Sequence, residues 1–342
     1  MWWAGVAWRG GDYEVAVVDA GGTPTVPATG FAGRQVPALV ALLRDAATRS
    51  GDGVATVIDS STGMIDGHLL AAGIPVYRAD PPLLPARPPF ASVPAADLAR
   101  CGATNTAALH RLTIESGALA GRAEQYLEHL AASGPVEREL TATGRYLTRG
   151  AGTVPQLALT FDDGPHPVFT PQVLELLRRY DVRATFFCVG LNVAAYPHLV
   201  GQIADAGHQL GNHTWSHPYL PDLTRGELLG QVDATDAALR AAGTATTLVR
   251  PPYGARTPDS LTWLAGHGYT TVLWDIDVGD WAAPGTEAIV AGATTATAGS
   301  VILMHDAGGD RTGTVAALPR ILGRLLDRGY RFVTVDQLTR EE

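Results

Sequence analysis

Apolar and polar positions follow a strand-type period at the start of the chain. Residues 2–9 and 13–20 alternate on either side of Gly10-Gly11, a hairpin turn signal. A third short strand is expected at 23–28, after Gly21-Gly22. Val, Leu, Leu and Ala then recur at helical spacing over 36–50. Residues 54–59 read as a buried strand, 64–72 as a helix stopped at Gly73, and 74–77 as another strand. A proline-rich loop covers 81–94; a helix is expected near 95–101 and a longer helical stretch over about 106–132. Residues 133–150 are polar, contain Gly and Pro and carry few large apolar groups, so they read as an interdomain linker.

From Leu157 onward strands and helices alternate. Strand patterns fall near 157–161, 184–189, 208–211, 247–250, 269–274, 300–304 and 331–335. Helical patterns lie between them at 170–180, 196–206, 224–242, 258–267, 286–297 and 314–328. Thr224 and Glu227 form a capping box, and Gly207, Gly243, Gly268 and Gly329 each close a helix just before a strand. Such alternation indicates an α/β barrel or a doubly wound sheet. In a barrel, polar residues at the strand C-termini share one mouth.

Composition narrows the function classes. The chain has 342 residues, which favours two domains, and a net charge of −9, which argues against general nucleic-acid binding. All 25 basic residues are arginine, a matter of codon usage more than of function. Cys101 and Cys188 are far apart without metal-type spacing, so each reads as a small buried residue and no disulfide framework is expected. The first residues lack a basic start followed by an apolar core, and no stretch reaches the ~18 apolar residues of a membrane span. A cytoplasmic protein without a membrane partner is therefore expected.

Five strand ends carry polar clusters. The stretch 157–165, LALTFDDGP, ends an apolar strand in Asp162 and Asp163. A strand followed by an Asp-Asp-Gly turn is common and says little alone. The later ends give His213-Thr-Trp-Ser-His217, Arg250-Pro-Pro-Tyr-Gly254, Asp277-Val-Gly-Asp280-Trp281 and Leu303-Met-His305-Asp306. Two histidines four apart share one face of a helical turn and can take two sites of a tetrahedral metal. One carboxylate of the Asp162-Asp163 pair would complete a set with an open position, the pattern of a catalytic metal. Adjacent side chains on an extended chain diverge, so one aspartate can ligate while the other acts as base. Zinc suits this set, with cobalt, nickel and manganese as other candidates. His305 suits a general acid, and Asp280 would raise its pKa. Arg250 is expected to pair with Asp162 and lower its pKa, although a structural ion pair is the plainer reading. Of the Pro-Pro-Tyr turn, only Tyr253 has an N–H for an acyl oxyanion. Trp281 and Leu303 read as walls of an acyl pocket or as core, and Asp277 as a turn cap.

In order and spacing, TFDDGP, HTWSH, RPPYG, DVGDW and LMHD resemble the five motifs of the polysaccharide deacetylases, carbohydrate esterase family four; ATFFCVG and GHQLGNHTWSHP are also typical. The resemblance covers about 155–340. It implies a distorted (β/α)7 barrel and metal-dependent removal of acetyl groups, de-N-acetylation first. Position by position it implies Asp162 as base and Asp163, His213 and His217 as metal ligands. It also implies His305 as acid, Asp280 tuning it, Arg250 orienting Asp162, and the Tyr253 amide on the oxyanion. The expected partner is an acetylated sugar, oligosaccharide or small metabolite. Cyclic amide or imide hydrolysis on the same barrel is an alternative.

The first part, hairpin, strand, helix, strand, helix, strand, helix, resembles the ribonuclease H-like fold and the nuclease domain of some transposases over about 1–110. Such nucleases need three or four acids. Asp59 and Asp97 sit where two would fall, but the first strand offers only Ala7 or Trp8. A non-catalytic module is expected, with an assembly, self-association or substrate-gating role left open and nucleic-acid binding as a further alternative. The expected division is 1–132 for this α/β domain with a trailing helix, 133–150 for a linker and 151–342 for the catalytic barrel.

Overall fold

The structure is a computed structural model that describes residues 1–61, 63–88 and 90–340. Its first sheet grows from β1 (Trp2–Arg9), β2 (Asp12–Val18) and β3 (Pro24–Ala32), followed by α1 (Val36–Ser50), β4 (Val54–Ile58), α2 (Gly63–Ala71) and β5 (Val76–Arg78). Then come α3 (Ala95–Asn105), β6 (His110–Leu112) and α4 (Ala123–Ala142). The strand order is β3-β2-β1-β4-β5-β6. β1, β2 and β3 are antiparallel neighbours, β4 and β5 run parallel to β1, and β6 returns antiparallel. Arg9 faces Asp12 across Gly10-Gly11, whose first glycine takes a φ of 60°, so the two-residue hairpin forms where expected.

β1 and β4 are buried on both faces rather than alternating. One face meets α1 and α2 through Leu39, Leu43, Ile65 and Leu69; the other meets Leu98 and Ala99 of α3. The expected single helix over 106–132 is interrupted. β6 pairs with β5 there, and α4 begins only at Ala123.

The second sheet comprises β7 (Tyr146–Leu147), β8 (Gln156–Asp162), β9 (Thr185–Cys188), β10 (Gln209–Asn212), β11 (Leu248–Val249), β12 (Thr270–Val272), β13 (Ile276–Asp277), β14 (Val301–His305) and β15 (Arg331–Val333). Its helices are α5 (Phe169–Arg179), α6 (Gly190–Ala195), α7 (Pro197–Asp205), α8 (Arg225–Ala241), α9 (Pro258–Gly266), α10 (Thr286–Ala293), α11 (Thr312–Asp327) and α12 (Val335–Leu338). All pairings are parallel, in the order β13-β14-β8-β9-β10-β11-β12-β7, with β15 beside the first half of β8. The sheet curls as a distorted (β/α)7 barrel around a core that includes Leu159, Phe161, Phe186, Ile302 and Met304. The Thr224–Glu227 capping box forms at the start of α8.

Residues 133–150 are not an open linker. They are the second half of α4, the strand β7 and the short turns around them. Glu137 of α4 pairs with Arg256 at 2.6 Å, and β7 adds to β12. The polar composition reflects a helix with only one face on the barrel.

The two sheets share a core. Val189, Leu191 and Trp215 of the barrel share a core with Trp8, Tyr13 and Val15 of the first sheet and Leu39 of α1. The Trp215 Nε1–H donates to the Gly10 carbonyl at 2.8 Å, and Phe90 lies against both Trp8 and Trp215. Arg122 joins Asp80 (2.6 Å) to Asp222 (2.8 Å), and Arg87 pairs with Glu227 (2.8 Å). A continuous apolar contact with partly buried ion pairs fixes one sheet against the other. The proline-rich loop thus braces this contact.

Candidate active site

β8 ends at Asp162, and Asp163 takes a left-handed φ of 76°. The two neighbouring carboxylates reach different partners. Asp162 Oδ1 accepts from Arg250 Nη1 at 2.7 Å. Asp163 Oδ1 lies 3.2 Å from His217 Nε2 and 3.6 Å from His213 Nε2. The histidines stand on an irregular turn after β10 rather than on a helix: Thr214 and His217 both have positive φ, 66° and 58°. Gln231 of α8 holds that turn, its Oε1 accepting from the Trp215 and Ser216 N–H groups at 3.0 and 2.9 Å. The Asn212 side chain accepts from the Thr214 N–H at 2.8 Å.

Arg250 is fully buried over the Phe187 ring. Besides Asp162, its guanidinium donates to the Thr160 hydroxyl (2.8 Å) and to the carbonyls of Val272 and Leu273 (both 3.1 Å). His305 ends β14, its Nδ1 2.7 Å from Asp280 Oδ1. The other Asp280 oxygen accepts from the His305 backbone N–H (2.9 Å) and the Thr314 hydroxyl (2.7 Å). Asp306 is buried, takes a hydrogen bond from Thr170 and leaves Oδ1 without a partner among the described residues.

Burial, then the neighbouring His217, keeps His213 well below the ordinary imidazole range. Its Nδ1 is 2.7 Å from the Arg250 carbonyl; a neutral ring there donates from Nδ1 and turns the Nε2 lone pair towards Asp163. Burial likewise lowers His217. Two neutral nitrogens facing a buried carboxylate oxygen that lacks a hydrogen-bond partner among the described residues form a cage for a cation. Ligand atoms at ~2.1 Å in a tetrahedron lie ~3.4 Å apart, close to the separations given above. The donor set therefore fits a divalent metal.

Burial pushes the Asp162 carboxyl up to about 6 although Arg250 pulls it down. Arg250 thus lowers the carboxyl as expected, but desolvation of a fully enclosed carboxylate outweighs one ion pair. For His305, burial opposes the charged ring, but the charge and hydrogen bond of Asp280 prevail and raise it to about 9.

Asp162, Asp163, His213, His217 and His305 face a cavity of about 510 Å³. Tyr253, Trp281 and Leu303 line it, Leu303 buried and Trp281 39 % exposed. Tyr253 has a φ of 61°, and its carbonyl accepts from Tyr126 of α4 at 3.1 Å. Asp277 caps its own turn through the Gly279 N–H (2.8 Å). Part of the wall belongs to the first sheet's domain: Met64, Asp66, Gly67 and Leu70 of α2, and the segment 113–119. Among the described residues, none of 81–94 lines the cavity. Burial, opposed by the Gly67 N–H and helped by Asp163, raises Asp66 to about 7. Sequence reasoning missed Asp66, Thr160, Thr170 and Gln231. Thr160 lies inside the TFDDGP stretch, but its hydroxyl joins the site only through Arg250; Asp66, Thr170 and Gln231 belong to none of the strand-end clusters and reach the site through tertiary packing.

Fold and site together define a hydrolase with an Asp-His-His centre at the C-terminal mouth of a parallel α/β barrel. The polysaccharide deacetylase family profile matches residues 149–272. A peptidoglycan-N-acetylglucosamine deacetylase of Bacillus cereus is 41% identical over 208 residues, covering 60% of this chain and 98% of the relative. A chitooligosaccharide deacetylase of Sinorhizobium fredii is 40% identical over 199 residues, covering 54% and 93%. A crystal structure of a peptidoglycan N-acetylglucosamine deacetylase superposes with a TM-score of 0.57 at 35% identity, covering 60% of this chain and 97% of that one. The chain belongs to the polysaccharide deacetylase family and is a hydrolytic deacetylase. Among the described residues, no helix is long and apolar enough to cross a membrane.

Proposed function

We propose that the protein hydrolyses the acetamido group of an amino sugar or a related small molecule, using Asp163, His213 and His217 to hold a divalent metal. The observation that carries this reading is the Asp163 Oδ1, without a hydrogen-bond partner among the described residues, facing two neutral imidazoles, with the Asp162 carboxylate alongside: Asp162 Oδ2 is 3.6 Å from His213 Nε2. Relatives named for N-acetylglucosamine and chitooligosaccharide substrates support the acetamido sugar.

A bound divalent ion, zinc first among zinc, cobalt, nickel and manganese, supplies Lewis acidity to water and to an acyl oxygen. Asp162, oriented by Arg250, takes the proton from the attacking water. The Tyr253 N–H stabilises negative charge on the acyl oxygen. His305, kept protonated by Asp280, gives its proton to the departing nitrogen, so acetate and a free amine leave. Trp281 and Leu303 flank the acetyl methyl.

The test is acetate release from N-acetylglucosamine and its oligomers, with metal-stripped protein and with zinc or cobalt restored. Metal-dependent acetate formation is expected. Equal release by stripped protein contradicts the proposal.

A further inference from the structure

The proposed reaction leaves one wall of its cavity unused. α2 and the segment 113–119 line the same cavity as His305, and they present Met64, Leu70, Ile114 and Leu119 beside Asp66. That wall is anchored. A Cβ on Gly67 would meet the Gly308 carbonyl oxygen at 2.2 Å, so α2 lies directly on the loop after His305, and Trp215 ties β10's turn to Gly10.

Two chemistries meet there. Asp66 is 8 % exposed, and its Oδ1 accepts the Gly67 N–H at 2.8 Å; a carboxylate has ~four lone-pair sites, so capacity remains for a donor in the cavity. Ile114 (45 % exposed) and Trp281 (39 % exposed), contributed by different domains, are apolar groups left open to solvent at the same cavity. Further sugar units against Met64, Leu70 and Ile114 would lose water from hydroxyls that these side chains cannot bond. An apolar substituent loses nothing there and gains by burial. The volume of about 510 Å³ suits a small molecule.

We infer that the N-terminal domain is the specificity half of the site, selecting a small acetamido sugar that bears an apolar substituent. A sugar hydroxyl donates to Asp66, and the substituent lies between Ile114 and Trp281. The acetamido group in this inference rests on the deacetylation proposed above; the selectivity of the wall does not.

The test compares N-acetylglucosamine, its 4-nitrophenyl β-glycoside and the chitin tetramer on the metal-loaded full chain. kcat and KM are read from amine formation, and equilibrium binding of the same probes is measured on Asp162→Asn. The aryl glycoside is expected to exceed the tetramer at least tenfold in kcat/KM and in affinity. Ile114→Ser, at an exposed position, should bring the aryl glycoside down to the level of the free sugar. Asp66→Asn should raise KM severalfold with a smaller effect on kcat. A tetramer that binds or reacts as well as the aryl glycoside overturns the inference, as does failure of the aryl glycoside to bind. Tight aryl-glycoside binding that Ile114→Ser abolishes, with no turnover of any probe, upholds the wall's selectivity and sinks the deacetylation reading instead.

Discussion

Gly67 of α2 lies against Gly308 of the loop behind His305, backbone to backbone, with no room for a methyl group on either residue. A Cβ on Gly67 would sit 2.2 Å from the Gly308 carbonyl oxygen, and one on Gly308 would sit 2.2 Å from an Asp163 carboxylate oxygen. The N-terminal domain therefore reaches within one residue of the Asp-His-His centre. Gly67→Ala must move backbone, an overpacking cost of ~1–3 kcal/mol. We expect a melting temperature lower by several degrees and a kcat/KM lower by at least fivefold. Wild-type values for both in a thermal melt and a steady-state assay would show that the contact is slack.

Trp215 carries a second test of the joint between the domains. Its indole fills the shared core and its Nε1–H donates to Gly10. Trp215→Phe removes the hydrogen bond and should cost ~0.5–1.5 kcal/mol. Trp215→Ala leaves a cavity as well and should cost ~3–5 kcal/mol. Denaturant unfolding gives both values. Limited proteolysis of the alanine variant should cut the N-terminal domain first.

The acid and base set a pH window. Asp162 must be ionised, so activity rises with pH through a value at or below about 6, lower still when a cation sits nearby. His305 must be protonated, so activity is lost as pH rises through about 9. kcat/KM should plateau between the two. Asp280→Asn removes the charge that raises His305, so the alkaline limb should move down towards the ordinary histidine value of ~6.5 and erase the plateau. An unmoved alkaline limb in that variant would assign it to another group.

The barrel and its mouth were legible because their signals are local. Strand runs, the capping box at Thr224 and the polar residues at each strand end lie close together in sequence, and the parallel topology brings them to one mouth. Tertiary packing hid the rest. The polar stretch 133–150 looks like a linker until Glu137 meets Arg256 and Tyr146 pairs with Thr271. The break between α3 and α4 depends on β6 finding β5. Asp66 carries no motif, and only the seating of α2 on Gly308 makes it part of the cavity. The sequence shows the Arg250 charge that lowers Asp162 but not the burial that outweighs it.

The central claim is that Asp163 helps hold the metal while its neighbour Asp162 moves the proton. The most direct measurement is metal content together with acetate release for wild type, Asp162→Asn and Asp163→Asn. We predict that Asp162→Asn keeps one equivalent of metal and loses ~10²–10⁴-fold in kcat, whereas Asp163→Asn loses metal affinity and activity together. An Asp162→Asn enzyme within threefold of wild type, or an Asp163→Asn protein that holds metal as tightly as wild type, would contradict the account.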